Sequence, residues 1–386
     1  MKTLKVVAHA ESVRDDLLAL LAGDAARLPV PADDPSHAAF LAEQLGAGQP
    51  IRDDCALVVS TSGTTGTPKG AMLSAPNLRA SAEGTASSLG GPGSWLLTLP
   101  PHHIAGLQVM LRSLAAGHDP VVVDVADGFD PGVLPAAIDA MTGPRRYTSM
   151  VPMQLRKALA HDDAVRALAS LDAILVGGAA TPPALAAAAR DAGLSIVRTY
   201  GMSETAGGCV YDGVPLPGAQ LQILNPDDDG VGRVALGGAT VALGYRNLDP
   251  HPAFTDPSLP APGWFRTDDL GRIDDGVLSV LGRADEAIST GGLTVVPQVV
   301  EAVIGRIDGV HDCAVFGLRD ERLGERVVVA VVADDDPPSL ATIVDVVSAR
   351  LDRYAAPREL FVVGELPARG PGKVDRRALR AQLGAD

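Results

Sequence analysis

A loop rich in hydroxyl groups and glycine carries the clearest chemistry in the sequence. Residues 60–70 read STSGTTGTPKG and follow a short apolar run. Glycines let backbone N–H groups approach an anion closely, hydroxyl groups add hydrogen-bond donors, and the ammonium of Lys69 adds a positive charge. The loop therefore predicts a polyphosphate site, although Pro68 and Gly70 stand where a Walker A loop has its second glycine and its Ser or Thr. A flexible Ser/Thr/Gly turn is the plainer alternative.

The net charge limits the partners of such a site. The 386 residues include 47 acidic and 32 basic side chains, which give a net charge of −15, and no run of Lys or Arg offsets it. Because a negative surface repels a phosphate backbone, nucleic acid is disfavoured as a partner. An acidic chain that binds phosphates must concentrate its cations locally, and two of its five lysines, Lys69 and Lys373, lie among glycines.

Length, composition and cysteine usage indicate a globular cytoplasmic protein of two or three domains. Hydrophobic residues make up 46% of the chain and charged residues 20%. Cys55, Cys209 and Cys313 show no CxxC or Cys/His spacing, so neither disulfides nor a zinc site is predicted. His9 and Glu11 interrupt the N-terminal segment before a signal-peptide core forms, and the longest apolar run, residues 327–333, is far shorter than the ~20 residues of a spanning helix. We therefore expect no membrane insertion.

Short β-branched runs alternate with Ala- and Leu-rich segments, a pattern typical of an α/β fold. Strands are predicted at residues 56–60, 95–99, 121–125, 149–151, 173–176 and 196–199, and helices at residues 75–88 and 182–192. The second helix has Thr181 as its predicted N-cap and Gly193 just beyond its end. After about Gly208, recurrent Gly and Pro predict antiparallel strands, among them residues 219–224 and 232–236. A mixed α+β region follows from about residue 285, with helices at 297–306 and 339–351 and strands at 310–318 and 326–333.

Further stretches match one family in chain order, from about residue 55 to 380. The sequence resembles the adenylate-forming superfamily of acyl-CoA synthetases, peptide-synthetase adenylation domains and luciferases, whose phosphate-binding signature is similar to the hydroxyl-rich loop. The other matching stretches are GGAA (177–180, an adenine loop), TYGMSET (199–205, a second signature), WFRTDDLG (264–271, a ribose motif), GRAD and STGG (282–285 and 289–292, a hinge and the loop beyond it) and PGKVDR (371–376, a terminal lysine motif).

The resemblance implies a two-domain architecture. Residues 1–282 would form a large N-terminal domain of stacked α/β layers with a distorted antiparallel β subdomain and a shortened leading subdomain. Residues 283–286 would form a hinge, and residues 287–386 a small, mobile α+β domain. In this family the small domain rotates about the residue that matches Asp285, so that Lys373 leaves the site and Gly291 and Gly292 line a tunnel for the thiol.

The resemblance also assigns the residues that bind ATP. Those implied to contact the phosphates are Thr61, Ser62, Gly63, Thr64, Thr65, Gly66 and Lys69. Those implied to surround the adenosine are Gly178, Ala179, Ala180, Thr199, Tyr200, Gly201, Met202, Ser203, Asp269 and Arg283. Tyr200 offers a flat face to a purine, and Asp269 can accept hydrogen bonds from both ribose hydroxyls. Asp268 stands where the family usually has glycine. The plainer alternatives are a core tyrosine and a solvated turn at Asp268 and Asp269.

Lys373, Lys69 and Glu204 are implied to take part in the reaction. Glu204 would hold Mg²⁺, a hard ion that is bound by few protein carboxylates together with substrate phosphates. Its alternative role is that of an acid at a helix N-terminus. His103, within the sequence LPPHHIAGL at residues 99–107, matches a position beside the acyl pocket, whereas His102 is interpreted as scaffold.

The implied reaction consumes ATP and coenzyme A. A substrate carboxylate attacks the α-phosphorus of ATP, and the acyl-adenylate then passes its acyl group to the thiol and releases AMP. The compact N-terminal part and the segment STSGTTGTPKGAMLS resemble those of the actinobacterial 2-succinylbenzoate-CoA ligases of menaquinone biosynthesis. This resemblance implies an aryl dicarboxylate substrate. An arginine near Arg198 or Arg112 would then join His103 in holding the second carboxylate.

Other functions remain open at this point. The enzyme could be a CoA ligase for another aryl or medium-chain acid, or a stand-alone adenylation enzyme that loads a carrier protein. A nucleotide-binding protein without turnover is the alternative from another class, and the joint presence of Lys69, Glu204, Asp269 and Lys373 argues against it. A shortened leading subdomain would expose apolar surface, so we also expect a homodimer.

Overall fold

The computed structural model describes residues 1–8, 13–61, 68–334, 336–368 and 374–384. The chain divides into two compact units, one formed by Met1–Leu224 with Ala235–Thr267 and the other by Asn225–Val234 with Asp268–Asp386. The predicted hinge at residues 283–286 lies within the second unit. Over the described residues, no helix has the length and apolar composition needed to cross a membrane.

Strands and helices alternate along the chain, as predicted for an α/β fold. The strands are β1 (Lys2–Thr3), β2 (Lys5–Ala8), β3 (Arg27–Val30), β4 (Pro50–Ile51), β5 (Cys55–Thr61), β6 (Lys69–Ser74), β7 (Ser94–Leu97), β8 (Val121–Val122), β9 (Arg146–Met150), β10 (Ala173–Val176), β11 (Ile196–Met202), β12 (Gly207–Tyr211), β13 (Val214–Pro215), β14 (Ala219–Leu224), β15 (Gly232–Gly238), β16 (Tyr245–Arg246), β17 (Trp264–Asp274), β18 (Val277–Arg283), β19 (Ile288–Thr290), β20 (Leu293–Val295), β21 (Val310–Asp320), β22 (Gly324–Ala333) and β23 (Glu359–Val362). The helices are α1 (Val13–Ala22), α2 (Pro35–Gln44), α3 (Ala75–Ser88), α4 (Ile104–Ala115), α5 (Leu134–Asp139), α6 (Pro152–Leu159), α7 (Asp162–Leu168), α8 (Pro183–Asp191), α9 (Pro252–Thr255), α10 (Pro297–Ile304), α11 (Leu340–Ser348) and α12 (Arg376–Leu383). Short 3₁₀ helices lie at Pro131–Val133, Ser203–Thr205, Ala284–Glu286 and Arg353–Ala355.

The predicted bounds hold for α3, β10 and β14, and most other elements differ by a few residues at their ends. The predicted N-cap of α8 is wrong. The helix begins at Pro183, and its N-cap is Pro182 instead of Thr181. Pro182 makes no side-chain hydrogen bond to the helix. A proline in the first turn supplies helical φ and has no N–H to satisfy, so this helix starts without a polar cap.

A mostly parallel sheet of the first unit sets the position of the candidate site. Its strand order is β13-β12-β11-β10-β9-β7-β8, with parallel pairing from β8 to β11 and antiparallel pairing of β11 with β12 and of β12 with β13. Because parallel strands end at the same edge of a sheet, the segments that follow β7, β10 and β11 share one edge. These segments contain His103, Gly178 and Glu204.

A second sheet of the first unit has the order β16-β6-β5-β3-β2. Strands β5 and β6 pair in antiparallel fashion, with Thr61 opposite Lys69 at the end of the pair. Strand β16 continues the sheet on the other side of β6, with Tyr245 opposite Ala71. The hydroxyl-rich loop therefore connects two strands whose ends are fixed by backbone hydrogen bonds.

The second unit is built on a sheet of order β20-β19-β22-β21, with β23 pairing with β22. Side chains alternate between the two faces of a strand, and β22 uses both faces for packing. Val327, Val329 and Val331 join the cluster under α10 and α11, whereas Val328 and Ala330 join the cluster with Leu379 of α12. Strands β17 and β18 pair in antiparallel fashion, as expected for the region after Gly208. The fold class is mixed α/β, as predicted.

Candidate active site

The predicted phosphate loop is described at its two ends. Thr61 is the last residue of β5 and Lys69 the first residue of β6. The residues Ser62, Gly63, Thr64, Thr65 and Gly66 lie outside the described part of the chain. Gly70 follows Lys69, and a Cβ there would lie 2.7 Å from Cγ1 of Val58, so close packing requires glycine at this position.

Glycines allow close packing at the edge of the sheet where β10 and β11 end. A Cβ on Gly177 would lie 2.2 Å from Oγ1 of Thr199, and one on Gly201 would lie 2.2 Å from the carbonyl oxygen of Gly207. Gly178 has a φ of +81°, which favours glycine. A register shift between Tyr200 and Gly201 marks a bulge in the β11–β12 pair, a feature that redirects side chains at an edge.

The predicted nucleotide residues of the first unit meet at this edge. They are Gly178, Ala179, Ala180, Thr199, Tyr200, Gly201, Met202 and Ser203, in β11 and in the segments after β10 and β11. Tyr200 is half-buried, so it is not the fully buried core tyrosine of the plainer alternative.

Glu204 is a buried carboxylate in the 3₁₀ turn Ser203–Thr205. Its residue exposure is 7%, and its Oε1 accepts a hydrogen bond of 2.6 Å from the hydroxyl of Tyr245. The backbone carbonyl of Glu204 accepts from the N–H of Ala242 at 2.8 Å. Because the turn has three residues, it lacks the aligned peptide dipoles on which the helix-terminal alternative depends.

The structure brings Lys69 to the same tyrosine. The Nζ of Lys69 lies 5.3 Å from the ring centroid of Tyr245, within cation–π distance. Sequence reasoning missed Tyr245, although an aromatic residue in a chain with 3% aromatics was an available signal. In the described residues, no group of three or more His, Cys, Asp or Glu side chains is placed to hold a metal ion. A single buried carboxylate fits Mg²⁺, which takes its other ligands from phosphates and water.

One face of α4 carries polar groups into the interior. Arg112 is 7% exposed, its Cζ lies 5.3 Å from the ring centroid of Trp95, and its Nη2 lies 3.5 Å from Oγ of Ser81. The Nε of Arg112 and the Oε1 of Gln108 are buried without a hydrogen-bond partner. Across the described residues, Arg112 forms no ion pair. A buried guanidinium without a carboxylate is costly, so this group is suited to an anion from outside the chain.

Gly207 keeps the space beside this face open. Its φ is +93°, and a Cβ there would lie 3.4 Å from Cγ of Gln108 and 3.9 Å from Nη2 of Arg112. Arg112 also lines a cavity of about 300 Å³ together with Thr85, Trp95 and Tyr147. Arg198, the other arginine suggested by the sequence, is half exposed and pairs with Asp212 at 2.7 Å. Sequence reasoning missed Gln108, whose polarity within an apolar helix was the available signal.

His103 lies at the N-cap of α4 and is exposed, and its ring centroid is 4.3 Å from that of His102. Burial lowers the pKa of His102 below its ordinary value of 6.5. His102 is therefore neutral near pH 7, which suits its interpretation as scaffold. Arg112 follows His103 by nine residues, which is about 13 Å along the helix axis.

The second unit contains a cluster of charges around Arg283. Its Nε and Nη2 donate to the two carboxylate oxygens of Asp285 at 2.8 and 2.7 Å. Asp269 lies opposite Arg283 in the β17–β18 pair, with Oδ1 at 3.9 Å from Nη1, and Oδ2 of Asp268 lies 3.6 Å from Nη2. Burial opposes the charged form, but the hydrogen bonds and charge of Asp285, with Asp269 and Asp268, raise the pKa of Arg283. Asp268 also pairs with Arg233 at 3.0 Å.

The structure describes the other predicted site residues of the second unit, except Lys373. Asp268 and Asp269 lie within strand β17, so the alternative of a solvated turn is wrong. Gly291 and Gly292 form the turn between β19 and β20 with φ values of +58° and +82°. Lys373 lies outside the described residues, which resume at Val374.

The chain is similar to known proteins over most of its length. The family described as AMP-binding enzyme matches residues 4–246, and the family described as AMP-binding enzyme C-terminal domain matches residues 299–373. A Mycobacterium tuberculosis protein named probable 2-succinylbenzoate–CoA ligase is 57% identical over 350 residues, which are 89% of each chain.

Two solved structures share the fold. Wild-type E. coli MenE with a bound m-phenylether-linked analogue of OSB-AMS has a TM-score of 0.75 and 27% identity, over 99% of this chain and 88% of that one. The o-succinylbenzoate CoA synthetase (MenE) of Bacillus subtilis, in complex with the acyl-adenylate intermediate OSB-AMP, has a TM-score of 0.80 and 24% identity, over 100% and 88%.

Replacement of Gly201 tests the close packing at this edge. We expect Gly201→Ala to lower the midpoint of thermal unfolding by about 4 °C or more, because the new methyl group would meet the carbonyl oxygen of Gly207. Gly364→Ala is the control, since a Cβ at Gly364 has no atom within 4 Å. Scanning calorimetry measures both variants, and an unchanged midpoint for Gly201→Ala would contradict this packing.

Proposed function

The chain belongs to the AMP-binding enzyme family, and from that premise we propose that it joins 2-succinylbenzoate to coenzyme A at the expense of ATP. The reaction passes through an acyl-adenylate, releases pyrophosphate and AMP, and serves menaquinone biosynthesis. The choice of 2-succinylbenzoate as the acid rests on the 57% identity to the Mycobacterium tuberculosis protein named probable 2-succinylbenzoate–CoA ligase.

The first half-reaction needs stabilisation of charge more than a base. The attacking carboxylate is already ionised at pH 7, so it attacks the α-phosphorus directly while pyrophosphate leaves. Lys69, the residues 61–66 and Lys373 are proposed to neutralise charge on the phosphate oxygens. Mg²⁺ bound by Glu204 would supply further positive charge to these oxygens.

The remaining nucleotide contacts follow from the chemistry of each residue. In the first unit, Tyr200 is proposed to stack on adenine, and Gly178, Ala179 and Ala180 to present backbone groups to its edge. In the second unit, Asp269 is proposed to accept hydrogen bonds from the ribose, and Arg283 to orient this carboxylate. The 3.9 Å separation of the two charges supports this pairing.

In the second half-reaction the thiol of coenzyme A attacks the acyl carbon and AMP leaves. We propose that residues 283–286 act as a hinge with Asp285 at its centre. Lys373 then withdraws and the glycine turn Gly291–Gly292 borders the path of the thiol. A lid that serves each half-reaction in turn keeps water from the acyl-adenylate.

Arg112 is the proposed ligand of the second carboxylate of 2-succinylbenzoate. A dicarboxylate presents one carboxylate to ATP and needs a cation for the other. Arg112 is buried, carries no ion pair among the described residues and has an unpartnered Nε. Trp95 holds the guanidinium through its ring face, which restrains the cation without neutralising it. His103 is proposed to lie at the mouth of this acyl pocket.

Release of AMP from a panel of acids tests the function. With ATP and coenzyme A, we expect kcat/KM for 2-succinylbenzoate to exceed that for benzoate, 2-hydroxybenzoate and octanoate by at least about 100-fold, because the monocarboxylates leave Arg112 unpaired. Lys373→Ala should abolish most of this turnover. Equal turnover of the four acids, or preference for a monocarboxylate, would overturn the choice of substrate, and release from none would favour a protein without turnover.

Variants of two arginines localise the second carboxylate. Arg112→Met should lower kcat/KM for 2-succinylbenzoate by about 10- to 100-fold and leave any turnover of octanoate unchanged. Arg198→Met is the matched control and should change neither by more than about twofold, since its partner is the exposed Asp212.

We also propose a cytoplasmic location, on the basis of the thiols and the substrates. All three cysteines are free, and burial raises the pKa of Cys55 to about 11 and that of Cys209 to about 12. Protonated thiols and a requirement for ATP and coenzyme A support a cytoplasmic location.

We further propose a homodimer. Strand β2 lies at the edge of its sheet in the described residues, and Val6 on this strand is 42% exposed. An open edge strand can pair with a second copy of the chain. Light scattering should give twice the chain mass of 39.6 kDa, and a monomer mass at micromolar concentration would contradict the dimer.

A further inference from the structure

Tyr245 contacts two groups that the proposed mechanism uses separately. Its hydroxyl donates to Oε1 of Glu204 at 2.6 Å, and its ring centroid lies 5.3 Å from Nζ of Lys69. The residue is 3% exposed, so the hydrogen bond is shielded from water. A hydrogen bond to a carboxylate is stronger in such surroundings than at the surface.

The surrounding structure fixes the position of Tyr245. Backbone pairing places it opposite Ala71, two residues after Lys69 in strand β6. Its ring meets the ring of His251 at 4.8 Å and 86°, and that of Phe254 at 5.2 Å and 78°. Edge-to-face packing on these rings leaves the phenol little freedom to rotate.

The hydroxyl can orient Glu204 for a metal. A carboxylate that accepts a hydrogen bond at one oxygen has a defined rotamer and presents its other oxygen in a fixed direction. Partners of this kind are common behind metal ligands, and their removal weakens metal binding. The phenol also donates a hydrogen bond to a carboxylate that is only 7% exposed, which offsets part of the cost of burying its charge.

The ring can restrain Lys69 without neutralising it. Lys69 forms no ion pair among the described residues, although the chain carries 47 acidic side chains. A carboxylate partner would cancel the charge that a phosphate needs, whereas an aromatic face attracts the ammonium and leaves its charge intact.

We propose that Tyr245 is a positioning residue for adenylation, whose hydroxyl orients Glu204 toward Mg²⁺ and whose ring holds Lys69 for the phosphates of ATP. The inference rests on the proposed function, because it takes Glu204 as the magnesium ligand. The hydroxyl of Tyr245 would affect the binding of Mg²⁺ and its ring the binding of ATP, so the two effects can be measured separately.

Calorimetric titration of ATP at a series of Mg²⁺ concentrations separates these effects. Tyr245→Phe keeps the ring and removes the hydroxyl, so the Mg²⁺ concentration for half-maximal ATP binding should rise about tenfold or more. ATP affinity at saturating Mg²⁺ should change by less than about twofold. Tyr245→Leu should show the same Mg²⁺ shift and a further loss of about fivefold in ATP affinity at saturating Mg²⁺, because the cation–π contact is gone.

Tyr147→Phe is the matched control. Tyr147 is also buried, and its hydroxyl donates to the backbone carbonyls of Leu89 and Gly91 at 3.1 and 3.0 Å. This variant loses a buried hydroxyl of the same kind, and it should leave the Mg²⁺ dependence of ATP binding unchanged. A purely structural role for Tyr245 predicts the same result for Tyr245→Phe as for this control.

Glu204→Gln separates failure of the inference from failure of the proposed metal ligand. If Glu204→Gln raises the Mg²⁺ requirement and both Tyr245 variants leave it unchanged, the positioning role is overturned and the metal ligand stands. If Glu204→Gln leaves the requirement unchanged, both assignments are overturned. If Tyr245→Phe is too unstable to measure, Tyr245→Leu replaces it. A rise in its Mg²⁺ concentration for half-maximal ATP binding, at an unchanged midpoint of thermal unfolding, supports the inference.

Discussion

The turn Ser203–Thr205 joins the two large sheets of the first unit, and the arrangement of the candidate site depends on it. It follows β11 of the parallel sheet, and Glu204 in it accepts from the N–H of Ala242 and from the hydroxyl of Tyr245 in β16 of the other sheet. Thr205 ties the same turn to Met202 and Gly207. Because these bonds are buried, they fix the backbone of the turn and hold the carboxylate of Glu204 beside Tyr245 of the other sheet.

The cations that are proposed to bind substrate have different partners from the cation of the Arg283 cluster. Lys69 and Arg112 face the rings of Tyr245 and Trp95, whereas Arg283 is held by the carboxylate of Asp285. A guanidinium chelated by a carboxylate is largely neutralised, but one on an aromatic face keeps its charge. In a chain with a net charge of −15 and only 3% aromatic residues, two aromatic rings therefore lie against the cations that are proposed to bind anions.

Sequence patterns predict the fold better than the contacts within the site. Helix α3 and strand β10 follow from local sequence, since α3 is an Ala- and Ser-rich stretch and β10 is a short run of apolar residues that are all buried. Glu204 and Tyr245 are 41 residues apart and meet only through the order of strands, which no local pattern encodes. The role of Glu204 came from family resemblance, and the buried state of Arg112 required the packing of α4 against Ser81 and Trp95. The preference of helices for a Thr N-cap predicted Thr181 wrongly, since α8 starts at Pro183 with Pro182 at the cap position.

Isotope transfer from the acid to AMP tests the central claim, that the acid is activated as an adenylate. The enzyme is incubated with ATP, coenzyme A and 2-succinylbenzoate labelled with ¹⁸O in its carboxylates, and the products are analysed by mass spectrometry. If a carboxylate oxygen attacks the α-phosphorus, that oxygen stays with phosphorus when the thiol attacks the acyl carbon, so AMP should carry one ¹⁸O atom. Unlabelled AMP, or label in pyrophosphate, would contradict the account.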